Sequence, residues 1–264
     1  MSNEITNKKK EELSFKSKKI IVTGANRSIG RNIALDFAKQ GADVVISYRS
    51  DKEGALETLD LIKSYSSKST ALYADFLDNA NVEKFAVEAI GALGGIDILI
   101  NNAGMLARET LFELSPEKMQ QVFQVNTIAP LYLTKLCSEN MIKNSTKGCI
   151  INISSIAGSS TMPKGIGYAS SKAALNKWTQ NAALNLAQYG VRVNAVLPGV
   201  IEAGMNQSTS TSDPELWKNY MHQIPLQRAG TPQDIANMVL FLASDKAQWI
   251  TGKNFEVDGG HVLS

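Results

Sequence analysis

Three side chains within one segment could together act on a carbonyl group. Tyr168 follows Ser155 by thirteen residues, and Lys172 follows Tyr168 by four. A phenol with an ordinary pKa of about 10 is a weak proton donor near neutral pH, and a nearby cation lowers that pKa. Residues four apart lie on one face of a helix, so phenol and ammonium can point into one cleft. The alternative is a stacked surface pair, which is common for an isolated match.

A predicted strand, a turn that contains glycine and a predicted helix lie near the start of the chain. The turn runs from Gly24 to Gly30, and the helical pattern continues to Ala38. Glycine lets the backbone approach a pyrophosphate closely, and the following helix N-terminus presents free N–H groups to the phosphates. A turn that uses glycine only to bend is the alternative. Together with the Tyr168–Lys172 pair, the turn favours a dinucleotide site.

Length and composition predict a metabolic protein with one domain. The chain has 264 residues, of which 44% are hydrophobic and 20% charged. These fractions are near the globular average. The net charge of +2 creates no strong field for nucleic acid or for an anionic membrane. The first residues lack the apolar core of a secretory signal, and no apolar run is long enough for a bilayer, so we expect a cytoplasmic protein without membrane or nucleic-acid partners.

The cysteines and histidines form no recognisable metal or redox motif. Cys137 falls in a helical pattern and Cys149 in a strand pattern, where buried free thiols are the ordinary explanation. His222 and His261 are far apart and have no further ligand at metal spacing. No metal site is therefore expected.

Short β-rich runs alternate with longer helical patterns after a polar, lysine-rich beginning. We expect residues 1–17 to form a mobile arm and residues 18–264 to form a dinucleotide-binding domain. Apolar runs at 96–100 and 150–153 are typical of strands buried on both faces of a parallel sheet. The expected fold is therefore α/β, a doubly wound parallel sheet of the Rossmann type in three α/β/α layers. The predicted strands are 19–23, 43–47, 70–74, 96–100, 149–153, 191–196 and 255–257.

Polar and glycine-containing segments directly follow several of these strands. They are the glycine turn, Asn101–Asn102, Ser154–Ser155 and Pro198–Gly199. In doubly wound sheets, ligands bind beyond the carboxyl ends of the strands, so these segments should line one crevice. The irregular stretch at about 200–230 is rich in Ser, Thr, Pro and Met, and we expect it to be a lid over that crevice. A solvent-facing helical hairpin is the alternative.

Several motifs follow one another in an order that is specific to one protein family. They are Gly24–Gly30, Asn101–Gly104, Asn126, Ser155, Tyr168, Lys172, Pro198–Gly199 and Val257–Gly260. On these motifs the chain resembles the classical short-chain dehydrogenases/reductases over residues 18–262. The closing half is similar to the 3-oxoacyl-ACP reductase group in Pro225–Arg228, Pro232–Ala236 and Thr251–Gly252.

The resemblance implies a catalytic role for four residues. Tyr168 would give a proton to the substrate carbonyl oxygen while a nicotinamide delivers hydride to the carbonyl carbon. Lys172 would lower the phenol pKa and hold the nicotinamide ribose, and the Ser155 hydroxyl would bind the same carbonyl oxygen. The family spacing to Tyr168 selects Ser155 rather than Ser154. Asn126 would hold a helix irregularity and a water that completes a proton path.

The end of the second predicted strand bears on the choice of cofactor. An acid there would bind the ribose 2′-hydroxyl of NAD, but Tyr48 occupies that position. Arg49 follows, and Arg27 lies inside the glycine turn, so two guanidinium groups could bind a 2′-phosphate. We therefore predict NADP(H), although either arginine could instead be a solvated surface charge, and Asp51 lies nearby.

The predicted cofactor-binding residues follow from the turn, the strand ends and the resemblance. By resemblance, Asp75 would contact adenine and Asn102 would steady the adenine ribose region. The full set is Gly24, Asn26, Arg27, Ser28, Ile29, Gly30, Tyr48, Arg49, Ser50, Asp75, Phe76, Asn102, Ala103, Gly104, Tyr168, Lys172, Pro198, Gly199 and Ile201.

Two residues depart from the family pattern. Ser28 replaces the middle glycine that most members carry, and a serine there occurs in enoyl reductase relatives. The short spacing from Tyr168 to Lys172 argues against an enoyl reductase, because those relatives place the lysine further on. Ala203 stands where the family commonly has a threonine that holds the nicotinamide carboxamide, so one cofactor contact is expected to be missing.

The predicted function is an NADPH-dependent carbonyl reductase for a 3-oxoacyl thioester carried by acyl-carrier protein or CoA. Lys143 and Lys147 could dock the acidic carrier, or they could be a solvated face. The first alternative is a dehydrogenase for a sugar, a polyol or another small alcohol, and a less favoured one is a non-catalytic dinucleotide sensor. The resemblance further implies a homotetramer, with interfaces on the helices around Asn126 and Lys172.

Overall fold

A sheet of seven parallel strands forms the centre of the molecule. The computed structural model describes residues 13–66, 68–161, 164–203 and 214–263. The strands lie in the order β3-β2-β1-β4-β5-β6-β7. Their bounds are β1 Lys19–Val22, β2 Asp43–Tyr48, β3 Thr70–Tyr73, β4 Ile98–Asn101, β5 Cys149–Ile153, β6 Arg192–Pro198 and β7 Asn254–Val257. The predicted doubly wound parallel sheet is confirmed, and the ends of each strand fall within two residues of the predicted ones.

Helices cover both faces of the sheet, which gives the predicted three layers in a single domain. They are α1 Ser28–Lys39, α2 Lys52–Lys63, α3 Asn79–Leu93, α4 Pro116–Phe123, α5 Ala129–Lys143, α6 Ile166–Leu186, α7 Pro214–Gln223 and α8 Pro232–Ala243.

Alternating side chains of a strand pack into two separate hydrophobic cores, one on each face of the sheet. In β1, Ile20 and Val22 pack with α1 and α8 on one face, and Ile21 packs with α3 and α5 on the other. All three residues are fully buried. Strands buried in this way carry continuous apolar runs, which is why the sequence indicated a parallel sheet.

The strand order reverses between β1 and β4, because β2 and β3 lie on one side of β1 and β5, β6 and β7 lie beyond β4. The connections from these two strands leave in opposite directions and open a crevice at their carboxyl ends. The segments after β1, β4, β5 and β6 all reach this edge. The sheet topology therefore brings together the motifs that are scattered along the chain.

The ordered core includes a residue that the sequence analysis assigned to the N-terminal arm. Phe15 is buried, and its ring meets Phe37 of α1 edge to face at 4.8 Å. Residues 1–12 of the predicted arm lie outside the described residues, so the expected mobility stays a prediction.

The stretch at 200–230 contains a helix in its described part. The prediction of a largely irregular segment is wrong for α7, whose apolar Trp217 and Met221 follow a helical spacing. Residues 204–213, including Met205, lie outside the described residues. The predicted lid and its alternative, a helical hairpin, therefore both stay open.

Three further features concern the thiols, membrane-spanning helices and metal ligands of the described residues. Cys137 and Cys149 are buried free thiols, as predicted. Among the helices that the structure describes, none is long and apolar enough to cross a membrane. No group of three or more His, Cys, Asp or Glu side chains in these ranges could hold a metal ion.

Candidate active site

A cavity of about 420 Å³ opens at the carboxyl edge of the sheet, where the strand order reverses. The described residues that line it come from the ends of β1, β2, β3, β4, β5 and β6, from α1 and α6, and from the helical turn Gln124–Ile128. They are Gly24, Asn26, Arg27, Ser28, Ile29, Gly30, Ser47, Tyr48, Arg49, Ser50, Asp51, Ala74, Phe76, Asn102, Ala103, Gly104, Met105, Val125, Ile153, Ser154, Ser155, Tyr168, Lys172, Pro198, Gly199, Ile201 and Ala203.

The cavity brings together all but two of the residues predicted for the site. Asp75 and Asn126 are absent from its wall. The Asp75 carboxylate turns back to accept a hydrogen bond from Leu77 N at 3.1 Å, and its neighbours Ala74 and Phe76 line the cavity instead. The predicted contact of Asp75 with adenine stays a prediction.

The turn after β1 is built so closely that glycine is required at two positions. Gly24 has a φ of +63°, and a Cβ on Gly30 would lie 2.5 Å from Asn102 Nδ2 and 2.6 Å from Gly24 O. The Asn102 amide donates to Thr23 O at 2.8 Å and to Gly24 O at 3.0 Å. Asn102 therefore holds the turn from behind, a contact that the sequence did not indicate.

Ser28 adopts an unusual backbone conformation at the same turn. Its φ is +53°, in the left-handed region that disfavours residues with a Cβ. The family pattern of glycine at this position thus has a conformational reason that Ser28 violates. Ser28 lies on the wall of the cavity, beside the N-terminus of α1.

Two exposed arginines flank the end of the cavity that adjoins the glycine turn. Arg27 lies in the turn and Arg49 follows β2, and both line the cavity. The Asp51 carboxylate is held in place by two hydrogen bonds, because Oδ2 accepts from Asn26 Nδ2 at 2.7 Å and Oδ1 accepts from Gly54 N at 2.9 Å. The Asn26 hydrogen bond first, then the one from Gly54 and the charge of Arg27, lower the pKa of Asp51.

The hydroxyl, phenol and ammonium groups meet at the other end of the cavity. Ser155 begins the short helical turn 156–158 after β5, and its Oγ accepts a hydrogen bond from Ala157 N at 3.1 Å. Tyr168 lies in the first turn of α6, beside the Ser155 hydroxyl. One turn later, Lys172 Nζ donates to Ile153 O at 2.8 Å and lies 5.9 Å from the centre of the Tyr168 ring.

Burial controls the protonation of these groups. It raises the pKa of Tyr168, and the neighbouring Ser155 hydroxyl opposes this shift. It also lowers the pKa of Lys172 from 10.5 to about 8. Desolvation disfavours the charged forms of both groups, so the net shift of the Tyr168 pKa is upward, and the lowering contribution of Lys172 stays a prediction.

Ser154 and Ser155 differ in what their hydroxyls can do. Ser154 is buried, and its Oγ donates to Lys172 O at 3.2 Å. The Ser155 hydroxyl instead faces Tyr168. Ser155, the serine selected by its thirteen-residue spacing to Tyr168, is therefore the one whose hydroxyl lies beside the phenol.

Asn126 lies in a π-turn behind the cavity. The helix widens at Gln124–Ile128, between α4 and α5, which is the irregularity that the resemblance implied. The Asn126 side chain is fully buried and forms two hydrogen bonds with the backbone of Met105, at 2.7 and 2.9 Å. A third, at 3.0 Å, goes to Ser171 Oγ on α6. Asn126 thus ties the wall residue Met105 to the helix that carries Tyr168 and Lys172.

Comparison with known proteins places the chain among relatives of almost equal length. A family model described as enoyl-(acyl carrier protein) reductase matches residues 24–262. The 3-oxoacyl-[acyl-carrier-protein] reductase FabG of Staphylococcus aureus (strain Mu50) is 37% identical over 94% of this chain and 99% of its own. Glucose 1-dehydrogenase 2 of Bacillus subtilis (strain 168) is 34% identical over 93% of this chain and 95% of its own.

A solved structure extends the similarity to three dimensions. It is a 7α-hydroxysteroid dehydrogenase complexed with NADH and 7-oxo glycochenodeoxycholic acid. The TM-score is 0.88, with 34% identity over 94% of this chain and 95% of that one. The three relatives act on quite different molecules by their names, so the shared features are the fold and the kind of reaction.

Proposed function

The chain belongs to the classical short-chain dehydrogenase/reductase family and is an oxidoreductase that uses a nicotinamide dinucleotide, and from this premise we propose that it reduces a carbonyl group at the expense of NADPH. The observation that carries the proposal is the cavity itself. Its one end is the glycine turn with Arg27 and Arg49, and its other end is the cluster of Ser155, Tyr168 and Lys172.

The lining residues fit an extended dinucleotide. Gly24, Gly30 and the N-terminus of α1 line the cavity, so the backbone N–H groups of the turn can meet a pyrophosphate there. In the proposed arrangement, Tyr48 and Phe76 flank the adenosine part, and Lys172 holds the nicotinamide ribose. The chemistry that bound NADPH supplies is a hydride for the carbonyl carbon.

The protein's own contribution is to bind, orient and protonate the carbonyl oxygen. Ser155 and Tyr168 both line the cavity at this end, and in the proposed arrangement a carbonyl oxygen there accepts a hydrogen bond from each hydroxyl. Because burial raises the pKa of Tyr168, the phenol keeps its proton near neutral pH and can donate it as the oxygen becomes negative. In the reverse direction, Tyr168 would be the base.

The preference for NADPH is proposed from charge. Arg27 and Arg49 are exposed at the rim of the cavity, and no described residue forms an ion pair with Arg49. Asp51 is the one acid among the described residues that line the cavity, and both its carboxylate oxygens accept hydrogen bonds, from Asn26 and Gly54. Two available guanidinium groups beside an occupied carboxylate favour a phosphate at the 2′-position over a free hydroxyl.

A 3-oxoacyl thioester, on acyl-carrier protein or on CoA, is the proposed substrate. Its support is the similarity to the 3-oxoacyl-[acyl-carrier-protein] reductase of Staphylococcus aureus. The matched family model is described by reduction of an enoyl group, but the four-residue spacing of Tyr168 and Lys172 favours a carbonyl. A sugar or small-alcohol dehydrogenase is the second candidate, because the Bacillus subtilis glucose dehydrogenase is nearly as similar. Initial rates on acetoacetyl-CoA and on a panel of sugars and polyols separate the two.

The experiment that tests the mechanism is the Tyr168→Phe substitution. The variant should bind NADPH with nearly unchanged affinity and lose most of its turnover, because the phenol proton is needed in the transition state. Ser155→Ala should also lose turnover, whereas the matched control Ser154→Ala should keep most of it, since its hydroxyl is committed to Lys172 O. Wild-type kcat in Tyr168→Phe would exclude the phenol as the proton donor.

Three further parts of the proposal rest on the sequence and on the family resemblance alone. A homotetramer, a cytoplasmic location and docking of acyl-carrier protein at Lys143 and Lys147 stay predictions. Light scattering that shows a monomer would contradict the first. Tight NADPH binding without turnover on any reactive carbonyl would instead favour the non-catalytic sensor.

A further inference from the structure

One arginine outside the cavity connects the two loops that carry Arg27 and Arg49. Arg31 lies in the first turn of α1 and does not line the cavity. Its Nη2 donates to Asn26 O at 2.7 Å and to Gly54 O at 2.9 Å, and its Nε donates to Thr58 Oγ1 at 2.8 Å. The guanidinium group therefore joins the glycine turn to the first two turns of α2.

The partners of Arg31 are themselves fixed. Thr58 is fully buried, and its Oγ1 donates to Gly54 O at 2.8 Å. A Cβ on Gly54 would lie 2.9 Å from Asn26 O and 2.6 Å from Asp51 Oδ2, so the turn and the start of α2 are packed without space between them. The Asn26–Asp51 hydrogen bond crosses the same gap. Arg31 thus stabilises a close contact whose two sides each continue into a cavity-lining arginine.

We propose that Arg31 is a positioning residue for recognition of the cofactor's 2′-phosphate, and this inference rests on the proposed preference for NADPH. Arg27 directly follows Asn26, whose carbonyl Arg31 holds, and Arg49 comes two residues before Asp51, at the start of α2. A phosphate between the two arginines needs both within hydrogen-bonding distance, and such constellations tolerate about 0.5 Å of displacement. Arg31 keeps the two loops at one separation.

The geometry of a guanidinium group is what this role requires. Arginine presents its donors in a planar fork, whereas lysine has one compact ammonium on a flexible stem. Arg31→Lys therefore keeps the positive charge near the phosphate but cannot hold Asn26 O, Gly54 O and Thr58 Oγ1 together. A loss of affinity in this variant reports geometry rather than charge.

The test measures dissociation constants of purified protein for NADPH, NADH, adenosine 2′,5′-bisphosphate and 5′-AMP. In Arg31→Lys we expect NADPH and the bisphosphate to bind about tenfold more weakly, the loss of roughly one charge-assisted contact. NADH and 5′-AMP should change by less than about twofold, which is within the effect of a surface substitution. Equal losses for all four ligands would overturn the proposal and leave Arg31 a general support of the turn.

Two other variants make the test specific. Glu57→Gln removes an ion pair with Arg31 at 3.1 Å on its exposed side and should leave all four constants unchanged. Thr58→Val removes the acceptor of Arg31 Nε at nearly constant volume and should weaken NADPH selectively, so the proposal can be judged even if Arg31→Lys does not fold. Selective weakening of NADPH binding in Glu57→Gln, without such weakening in Arg31→Lys or Thr58→Val, would contradict the positioning role of Arg31.

The wild-type constants separate this inference from the proposal on which it rests. Wild-type protein that binds NADH as tightly as NADPH would overturn both. Wild-type protein that prefers NADPH, with the preference intact in Arg31→Lys and in Thr58→Val, would overturn the role of Arg31 alone.

Discussion

Replacing Lys172 with methionine should make the protein without cofactor more stable at neutral pH while it removes activity. Lys172 is 4% exposed, and burial lowers its pKa from 10.5 to about 8. At pH 7 Lys172 is charged in the folded protein, and a pKa shift of this size means that its burial lowers the free energy of unfolding by about 3 kcal/mol. Methionine has a similar length and no charge, so Lys172→Met removes that cost.

Lys172→Met also removes a hydrogen bond, and this loss opposes the gain in stability. Lys172 Nζ donates to Ile153 O at 2.8 Å, and leaving this carbonyl without its donor costs about 1 kcal/mol beside a cavity that water can enter. The net expectation is that the free energy of unfolding rises by about 2 kcal/mol at pH 7. For a domain of this size, that raises Tm by roughly 4–8 °C.

The sign of the pH dependence provides a second check. Between pH 8 and 10.5 the unfolded chain binds a proton at Lys172 that the folded protein does not, so wild-type stability rises with pH through this window. The advantage of Lys172→Met should therefore shrink to less than about 1 kcal/mol at pH 9.5.

Urea denaturation at pH 7 and pH 9.5 measures both effects, with Lys177→Met as the control. Lys177 is exposed on the same helix, so its replacement should change the free energy of unfolding by less than about 0.5 kcal/mol at either pH. A Lys172→Met variant that is less stable than wild type at pH 7, with a gap that does not depend on pH, would refute the reasoning.

The glycine turn provides the remaining predictions. Gly30→Ala should lose dinucleotide binding and lower Tm, because its Cβ would lie 2.6 Å from Gly24 O; wild-type affinity for NADPH in a titration would contradict the geometry. Gly91→Ala, whose Cβ would have nothing within 4 Å, is the matched control and should stabilise helix α3 by about 0.5–1 kcal/mol in calorimetry. Ser28→Gly should remove the strain of a left-handed φ of +53°. Glycine is also more flexible in the unfolded chain, which offsets part of this gain, so we expect the free energy of unfolding to rise by roughly 0.5 kcal/mol. A clear loss of stability would show that the Ser28 side chain stabilises the turn.

The positions of the strands along the chain could be predicted because each strand has its own local pattern of apolar residues. A strand buried on both faces reads as an unbroken apolar run, as in 149–153, whose predicted bounds match β5. The helix at Pro214–Gln223 entered only as the alternative to an irregular lid, because the stretch around it is rich in Ser, Thr and Pro. Phe15 was assigned to the arm because its contact with Phe37 joins residues that are distant in the chain.

The sequence predicted which segments form the cofactor site, but it did not predict the direction of each side chain. Asp75 follows β3 as expected, yet its carboxylate binds Leu77 N while Ala74 and Phe76 form the wall. Arg31 was not singled out at all, because in sequence it is one more charged residue on an amphipathic helix. Its partners Asn26, Gly54 and Thr58 come together only when α1 and α2 pack.

By itself, the sequence determined the doubly wound sheet, the place of the dinucleotide turn and the spacing that puts Tyr168 and Lys172 on one helix face. These are properties of short segments, fixed by hydrophobic period, glycine and helical repeat. Only the tertiary structure decided the protonation of the site. The sequence pairs a cation with a phenol and indicates a lowered phenol pKa, but packing withdraws both groups from water, and desolvation raises the pKa of Tyr168 and lowers that of Lys172.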